Sequence, residues 1–448
     1  MKKNPEKNKK SKSYKKIDQI KVYIWNQYVG AVALDPKLNY YVFAYDKKFG
    51  KSGIELSPLQ MPLNDQEQGF VFTDLPEPTY NRLPAMLADA LPDDFGNALI
   101  DQYMASHGIF KSQITPLDRL AYMGQRSMGA LEFKPLHGPK NYKSSAIEMG
   151  TLVTEARSLI QGHLEVSDKK SRSASKSLRN IIDVGTSAGG ARAKAVIAWN
   201  PKTNEIRSGQ VDSPDGFEQW LLKLDGLSKY TGKDKEFGSS EDYGRIEFAY
   251  SLMAKSAGVK MTDCKLLNEN GRSHFMTQRF DRDHNTKHHI QTLCGINRID
   301  FKRKSTNSYE QLFMTLISLK LNHAAFIETF RRMVFNIMAK NCDDHSKNFS
   351  FILKQGLAWD LAPAYDLTFA FDTKNEWINQ HLMSVNGKFS NFKIDDLITL
   401  ADRFGIGEYK NIIKDVELAL QDWPEFAKKA GLNKKVLELI RKEFFILK

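Results

Sequence analysis

The apolar and polar positions change period more than once along the chain. Residues 20–34, "IKVYIWNQYVGAVAL", alternate on either side of "NQ", which predicts a β-hairpin. "YYVFAYD" and "GFVFTD" continue in that style, so residues 20–80 read as β-rich. From "LPAMLADALPDDFGNALIDQYMASHG" (83–108) the apolar spacing becomes helical, with prolines as breaks. "PLDRLAYMG" predicts a short helix, "GALEFKP" a strand, and residues 145–164 a helix. "SDKKSRSASKS" (167–177) is polar, basic and serine-rich and reads as a loop or hinge. Strands follow as far as residue 300 around one helix, "SEDYGRIEFAYSLMAKSAG". From residue 308 the chain is mostly helical, and no internal repeat is visible. This divides it into a tail (1–16), a small β-rich module (17–80), the remainder of an N-terminal lobe (81–300) and a helical C-terminal lobe (301–448). The expected class is α+β, with a cleft where the two lobes meet.

Composition narrows the function classes. The chain has 448 residues, of which 41% are hydrophobic and 26% charged, as expected of a soluble globular protein. No apolar run approaches the ~20 residues of a membrane span, so no membrane is expected as a partner. The lysine-rich start lacks the apolar segment of a secretory signal. Cys264, Cys294 and Cys342 are too few and too scattered for a disulfide framework or a zinc site, and a reducing cytoplasm fits best. Residues 1–16 hold eight lysines and one glutamate, so +7 of the net +12 lies in this tail. It is expected to be disordered, either as a solubilising tail or as an arm for nucleic acid or an acidic partner. The remaining +5 does not identify a nucleic-acid binder.

The densest chemistry is "NCDDHSKNFSF" (341–351), polar residues between apolar runs. Asp343 precedes Asn348 by five positions, the D-x-x-x-x-N spacing of a kinase catalytic loop. There the aspartate accepts a hydroxyl proton and the asparagine reaches magnesium, with "FSFIL" as the anchoring strand. The alternative is a solvated loop with helix caps. Magnesium needs a further oxygen ligand. "WDLAPAYDL" offers Asp360 and Asp366, and a strand–turn–strand would bring Asp366 back beside the loop.

Phosphate transfer also needs positive charge. "FEQWLLKL" (217–224) puts Lys223 inside an apolar strand, and Glu247 in "RIEFAYSLMAK" is its expected partner. A snorkelling edge lysine is the alternative. In "VGTSAGGARAKAVIAW" (184–199), Gly185, Gly189 and Gly190 suit close approach of backbone N–H groups to phosphate. The segment matches neither a Walker A loop nor G-x-G-x-x-G. Lys194 competes with Lys223 for the nucleotide, and Lys223 is favoured because its strand is more apolar. "HFMTQRFDR" (274–282) occupies the place of a hinge, with Gln278 and Phe280 as candidate adenine contacts. His284, His288 and His289 read as an exposed turn rather than a metal cluster.

These stretches, with "LPAMLADALPDDFGNALI", "SAGGARAKA", "QRFDR", "DDHSKNFSF", "LAPAYDL" and "MSVNGK" (383–388), resemble the HipA family over residues 20–440. That family comprises kinase toxins of bacterial type II toxin–antitoxin modules. The resemblance implies a distantly protein-kinase-like fold and an ATP- and magnesium-dependent serine/threonine kinase. It also implies a helix-turn-helix antitoxin partner, docked partly through the N-terminal β module, and contact with DNA mainly through that antitoxin. By position, Asp343 looks like the catalytic base, Asn348 and Asp366 the magnesium ligands, and Lys223 the nucleotide lysine. Ser187 matches a serine that becomes autophosphorylated. Ser187, Ala188, Gly189, Gly190, Lys194, Lys223, Gln278, Phe280, His345 and Lys347 form the expected nucleotide-contacting set. Known family targets include aminoacyl-tRNA synthetases, but a target does not transfer with a fold. A small-molecule phosphotransferase and a non-catalytic corepressor in a DNA-bound antitoxin complex are the rival functions.

Overall fold

The computed structural model describes residues 16–65, 69–92, 94–138, 149–160, 193–225 and 242–446. Within them, strands β1 (Gln19–Ile24), β2 (Gln27–Asp35), β3 (Tyr40–Tyr45) and β4 (Leu131–Lys134) form an antiparallel sheet in the order β3-β2-β1-β4. The alternation seen in the sequence is the pleat of β1, whose Ile20, Val22 and Ile24 point into the core. Ile24 pairs with Gln27, so the turn is Trp25-Asn26, one residue earlier than expected. Both turn residues have positive φ (46° and 61°), the geometry that follows the twist of a tight hairpin. Tryptophan is unfavourable there. Its indole N–H donates to the Lys287 carbonyl at 2.8 Å, a long-range bond that holds the turn.

"GFVFTD" does not form the expected strand. Only Phe70 bridges to Phe43, through backbone bonds of 2.7 and 2.9 Å. Pro76 and Pro78 then lead the chain into a short helix at Glu77–Tyr80. The fourth strand, β4, comes from beyond residues 17–80. Val22, Phe43, Tyr80, Leu120 and Phe133 belong to the apolar cluster packed against this sheet. Each such side chain contributes roughly 1.5–3 kcal/mol on burial.

The second sheet comprises β5 (Lys194–Trp199), β6 (Ile206–Ser208), β7 (Glu218–Lys223), β8 (Cys264–Glu269) and β9 (Arg272–Gln278). Its order is β6-β5-β7-β9-β8, antiparallel throughout. The helix Tyr243–Ser256 lies against it and approaches closely at Gly244, where a Cβ would run into the Ser273 carbonyl. "QRFDR" ties the N-terminal region to this sheet. Buried Asp281 accepts from Arg279 Nε and Nη2 at 2.9 and 2.7 Å, from Arg282 Nη1 at 2.7 Å and from the Gly129 N–H at 2.8 Å.

The C-terminal lobe packs helices around a second apolar cluster that includes Phe313, Phe330, Phe335, Leu400, Val416 and Trp423. Local chemistry sets its helix starts. Ser308 and Gln311 form a capping box for Tyr309–Ser318, and Asn322 caps His323–Met338. A three-stranded sheet of His289–Thr292, Ser350–Leu353 and Trp359–Leu361 carries the loop that precedes Ser350. Among the described residues, no helix is long and apolar enough to cross a membrane.

Candidate functional site

The positive end of the site is built by strand pairing. Lys194 on β5 lies opposite Lys223 on β7, so both side chains share one face. Lys223 Nζ meets Glu247 from the helix behind the sheet and Asp366 from the C-terminal lobe. Burial opposes the charge on Lys223, but Asp366 and then Glu247 outweigh it and hold the amine above its ordinary value. Burial would raise Asp366, yet Lys223 and then Lys194 hold its carboxyl well below the usual range. The two lysines that compete in the sequence therefore act on one carboxylate. Asp366 has φ 54°, a left-handed conformation that aspartate tolerates better than most residues. Asp360 takes no part: it sits in the last strand of the small sheet and accepts from the adjacent Leu361 N–H at 2.8 Å.

The loop 341–348 is fixed beside this cluster. Cys342 N–H donates to the Ala370 carbonyl at 2.9 Å and Ala370 N–H to Lys340 at 3.1 Å, so the segment after Asp366 returns next to the loop. Tyr365 Oη donates to the Lys347 carbonyl at 2.6 Å. Of the two adjacent aspartates, Asp344 is fully buried and Asp343 has a side chain 39% exposed. Asp344 accepts from Tyr309 Oη at 2.8 Å, His381 Nδ1 at 2.9 Å and Leu382 N–H at 2.8 Å. It anchors the loop, whereas the Asp343 carboxylate stays partly open to solvent. Asn348 Nδ2 donates to the Asp343 carbonyl at 2.7 Å, which leaves Oδ1 for another partner. Sequence reasoning missed three residues here. Tyr309 and His381 hold Asp344, and Trp377 Nε1 donates to Asp343 Oδ1 at 2.7 Å. No spacing rule links positions more than thirty residues apart.

His381 gives the loop a pH signature. Burial pulls its imidazole down, but the Asp344 carboxylate outweighs this and lifts it to about 10. The folded value lies above the unfolded one, so folding retains the proton. The stabilisation is full below about pH 6.5 and is lost as pH rises towards about 10. His381→Asn should remove a few kcal/mol at about pH 6 and clearly less at about pH 9.5. Urea midpoints of parent and variant at both pH values check this. A gap that does not change with pH would count against a charged His381.

The other expected contacts are more mixed. Gln278 N–H already donates to the Asp263 carbonyl at 2.8 Å, and its carbonyl accepts from Thr262 Oγ1 at 2.8 Å. Its N–H therefore cannot also serve an adenine in this conformation. Phe280 packs against Tyr365, the residue before Asp366, with ring centroids 5.7 Å apart and planes tilted by 34°. Lys347 lies over the Phe301 ring at 5.0 Å, and His345 packs between Phe301 and Trp377. His284 is exposed, but His288 and His289 are buried, contrary to the exposed turn expected: His289 opens the strand paired with Ser350–Leu353, and the His288 N–H just before it donates to the Asp281 carbonyl at 2.9 Å. Burial drives His289 down to about 4. Ser187, Ala188, Gly189 and Gly190 lie outside the described residues, as do residues 1–15 of the basic tail.

Magnesium fits a site of this chemistry. Among the described residues, no three His, Cys, Asp or Glu gather as a protein-only metal cage. One carboxylate, one amide oxygen and phosphate or water oxygens are an ordinary magnesium set.

Comparison with known proteins places these features in a family. Residues 186–424 match the HipA-like C-terminal domain, and residues 20–134 the HipA N-terminal domain. A Haemophilus influenzae protein named "Putative kinase" is 31% identical over 172 residues, which covers 36% of this chain and 47% of that protein. The chain thus matches less than half the length of that relative. A Shewanella oneidensis protein, "Serine/threonine-protein kinase toxin HipA", is 20% identical over 420 residues, covering 88% of this chain and 84% of its own. The solved complex of Shewanella oneidensis HipA, HipB and operator DNA matches with a TM-score of 0.65 at 15% identity, over 94% of both chains. At that identity the likeness establishes the fold, which is α+β and kinase-like. With one domain match spanning more than half of its length and a second covering the N-terminal region, the chain belongs to the HipA family.

Proposed function

We propose that this protein is an ATP- and magnesium-dependent protein serine/threonine kinase. It acts in the cytoplasm as a growth-arresting toxin and is restrained by a helix-turn-helix antitoxin. The observation that carries the reading is the convergence of Lys223, Glu247 and Asp366 beside the loop that holds Asp343 and Asn348. Glu247 keeps the Lys223 amine aimed into the cleft, where it and Lys194 meet phosphate oxygens. Phe280 contributes an aromatic wall near the base. Asn348 Oδ1 and Asp366 would hold magnesium, which supplies charge neutralisation on the phosphates. Asp343 accepts the proton of the attacking serine or threonine hydroxyl. Little covalent chemistry is asked of the chain, and positioning carries the rate. The substrate is a protein, with an aminoacyl-tRNA synthetase as one candidate, and DNA is contacted mainly through the antitoxin.

Self-phosphorylation at Ser187 forms part of this reading. A phosphate there adds about −1.5 to −2 charge seven residues before Lys194, a lysine that in this reading meets an anionic triphosphate. Ser187→Asp should therefore weaken ATP binding by several-fold, measured by titration with a fluorescent ATP analogue. A variant that binds as tightly as the parent would refute the repulsion mechanism. The function itself is tested by incubating purified protein with ATP and magnesium, measuring ADP release and mapping phosphopeptides. No ADP and no phosphoserine would sink it.

A further inference from the structure

Trp377 stands on the segment that follows Asp366, and its indole reaches the candidate base. We propose that Trp377 is a positioning residue: it holds one oxygen of Asp343 so that the other faces the incoming hydroxyl. This rests on the kinase reading. The indole N–H donates to Asp343 Oδ1 at 2.7 Å, and His345 Nε2 lies 3.7 Å from the same oxygen. Both neighbours thus crowd Oδ1, while the carboxylate remains 39% exposed. A free aspartate on such a loop would exchange χ1 rotamers and swing its carboxylate broadly about χ2. Proton abstraction needs one orientation, within hydrogen-bond reach of the hydroxyl, and misplacement lowers the rate.

The tryptophan is itself held in place. Its backbone N–H donates to Asn375 Oδ1 at 2.9 Å. Lys304 Nζ donates to the Glu376 carbonyl at 2.8 Å and lies 5.6 Å from the centre of the Trp377 ring. Gln380 Nε2 donates to Ser305 Oγ at 3.2 Å. None of these contacts involves Lys223, Glu247 or Asp366. Loss of the indole donor should therefore slow the chemical step without loosening the nucleotide.

Trp377→Phe keeps a ring against Lys304 and His345 and removes only the N–H. In the full chain, with ATP and magnesium, kcat for ADP release should fall about tenfold, the scale of one hydrogen bond to a charged group. The KM for ATP and the urea midpoint should stay unchanged. Trp377→His, which keeps a ring N–H, should recover part of the rate. A Phe variant as fast as an active parent overturns the inference alone, and so does a KM for ATP that rises in step with the loss. A parent that releases no ADP overturns the kinase reading and this inference with it. The contact has its own readout: Asp343→Asn should shift the Trp377 indole N–H resonance, and an unmoved resonance overturns the proposal whatever the turnover.

Discussion

Asp343→Ala should lower phosphate transfer by roughly 10²–10⁴-fold, the scale of a lost general base, and leave the fold intact. Most of the polar contacts around loop 341–348 do not use its carboxylate. Asn348 binds the backbone carbonyl of residue 343, which alanine retains. The loop hangs on Asp344 through Tyr309, His381 and Leu382. ATP affinity should survive as well, because Lys223, Glu247 and Asp366 meet without it. ADP release and binding of a fluorescent ATP analogue, measured side by side, separate the two effects. Full turnover in the variant would remove Asp343 from the role of base.

Asp281→Ala should destabilise the protein by about 3–5 kcal/mol, because it leaves Arg279 and Arg282 buried without their anion. Burial would raise the Asp281 carboxyl, yet the Arg279 and Arg282 charges outweigh it and hold it well below the ordinary range. The loss is large against the roughly 5–15 kcal/mol that keeps a typical protein folded. Phe280 sits between two members of this cluster, so ATP binding should weaken too. Asp281→Asn, which keeps the shape and one acceptor, should fall between parent and alanine. Urea midpoints of the three proteins order the effect, and an alanine variant as stable as the parent would discount the cluster.

Short-range chemistry was legible in the chain. The β1–β2 alternation and the proline break before Asp94 each depend on residues a few positions apart. Lys223 was legible because a lysine in an apolar strand needs a counter-charge, and the structure brings Glu247 to it. Asp366 also lies where a strand–turn–strand returns the chain. Convergence over longer separations was not legible. Asp343 and Asp344 are neighbours of one type, and only the arrival of Tyr309 and His381 makes one an anchor and leaves the other open. "GFVFTD" has strand composition, but a strand needs a partner along its length, and Phe43 supplies a single bridge. His288 and His289 read as polar turn residues until the pairing of His289 with Leu353 and the backbone bond of His288 to Asp281 draw them inside.

The strand order β3-β2-β1-β4 has a consequence for synthesis. Ile24 pairs with Leu131, so one flank of β1 waits for a partner made 107 residues later. At about 5–20 residues per second, the ribosome leaves that flank open for roughly 5–20 s. For that interval the nascent chain displays an unpaired row of N–H and C=O groups, a template for pairing with other chains. Holding that flank apart from neighbouring nascent chains until β4 emerges is therefore a task for the early folding environment, set by topology rather than by any single residue.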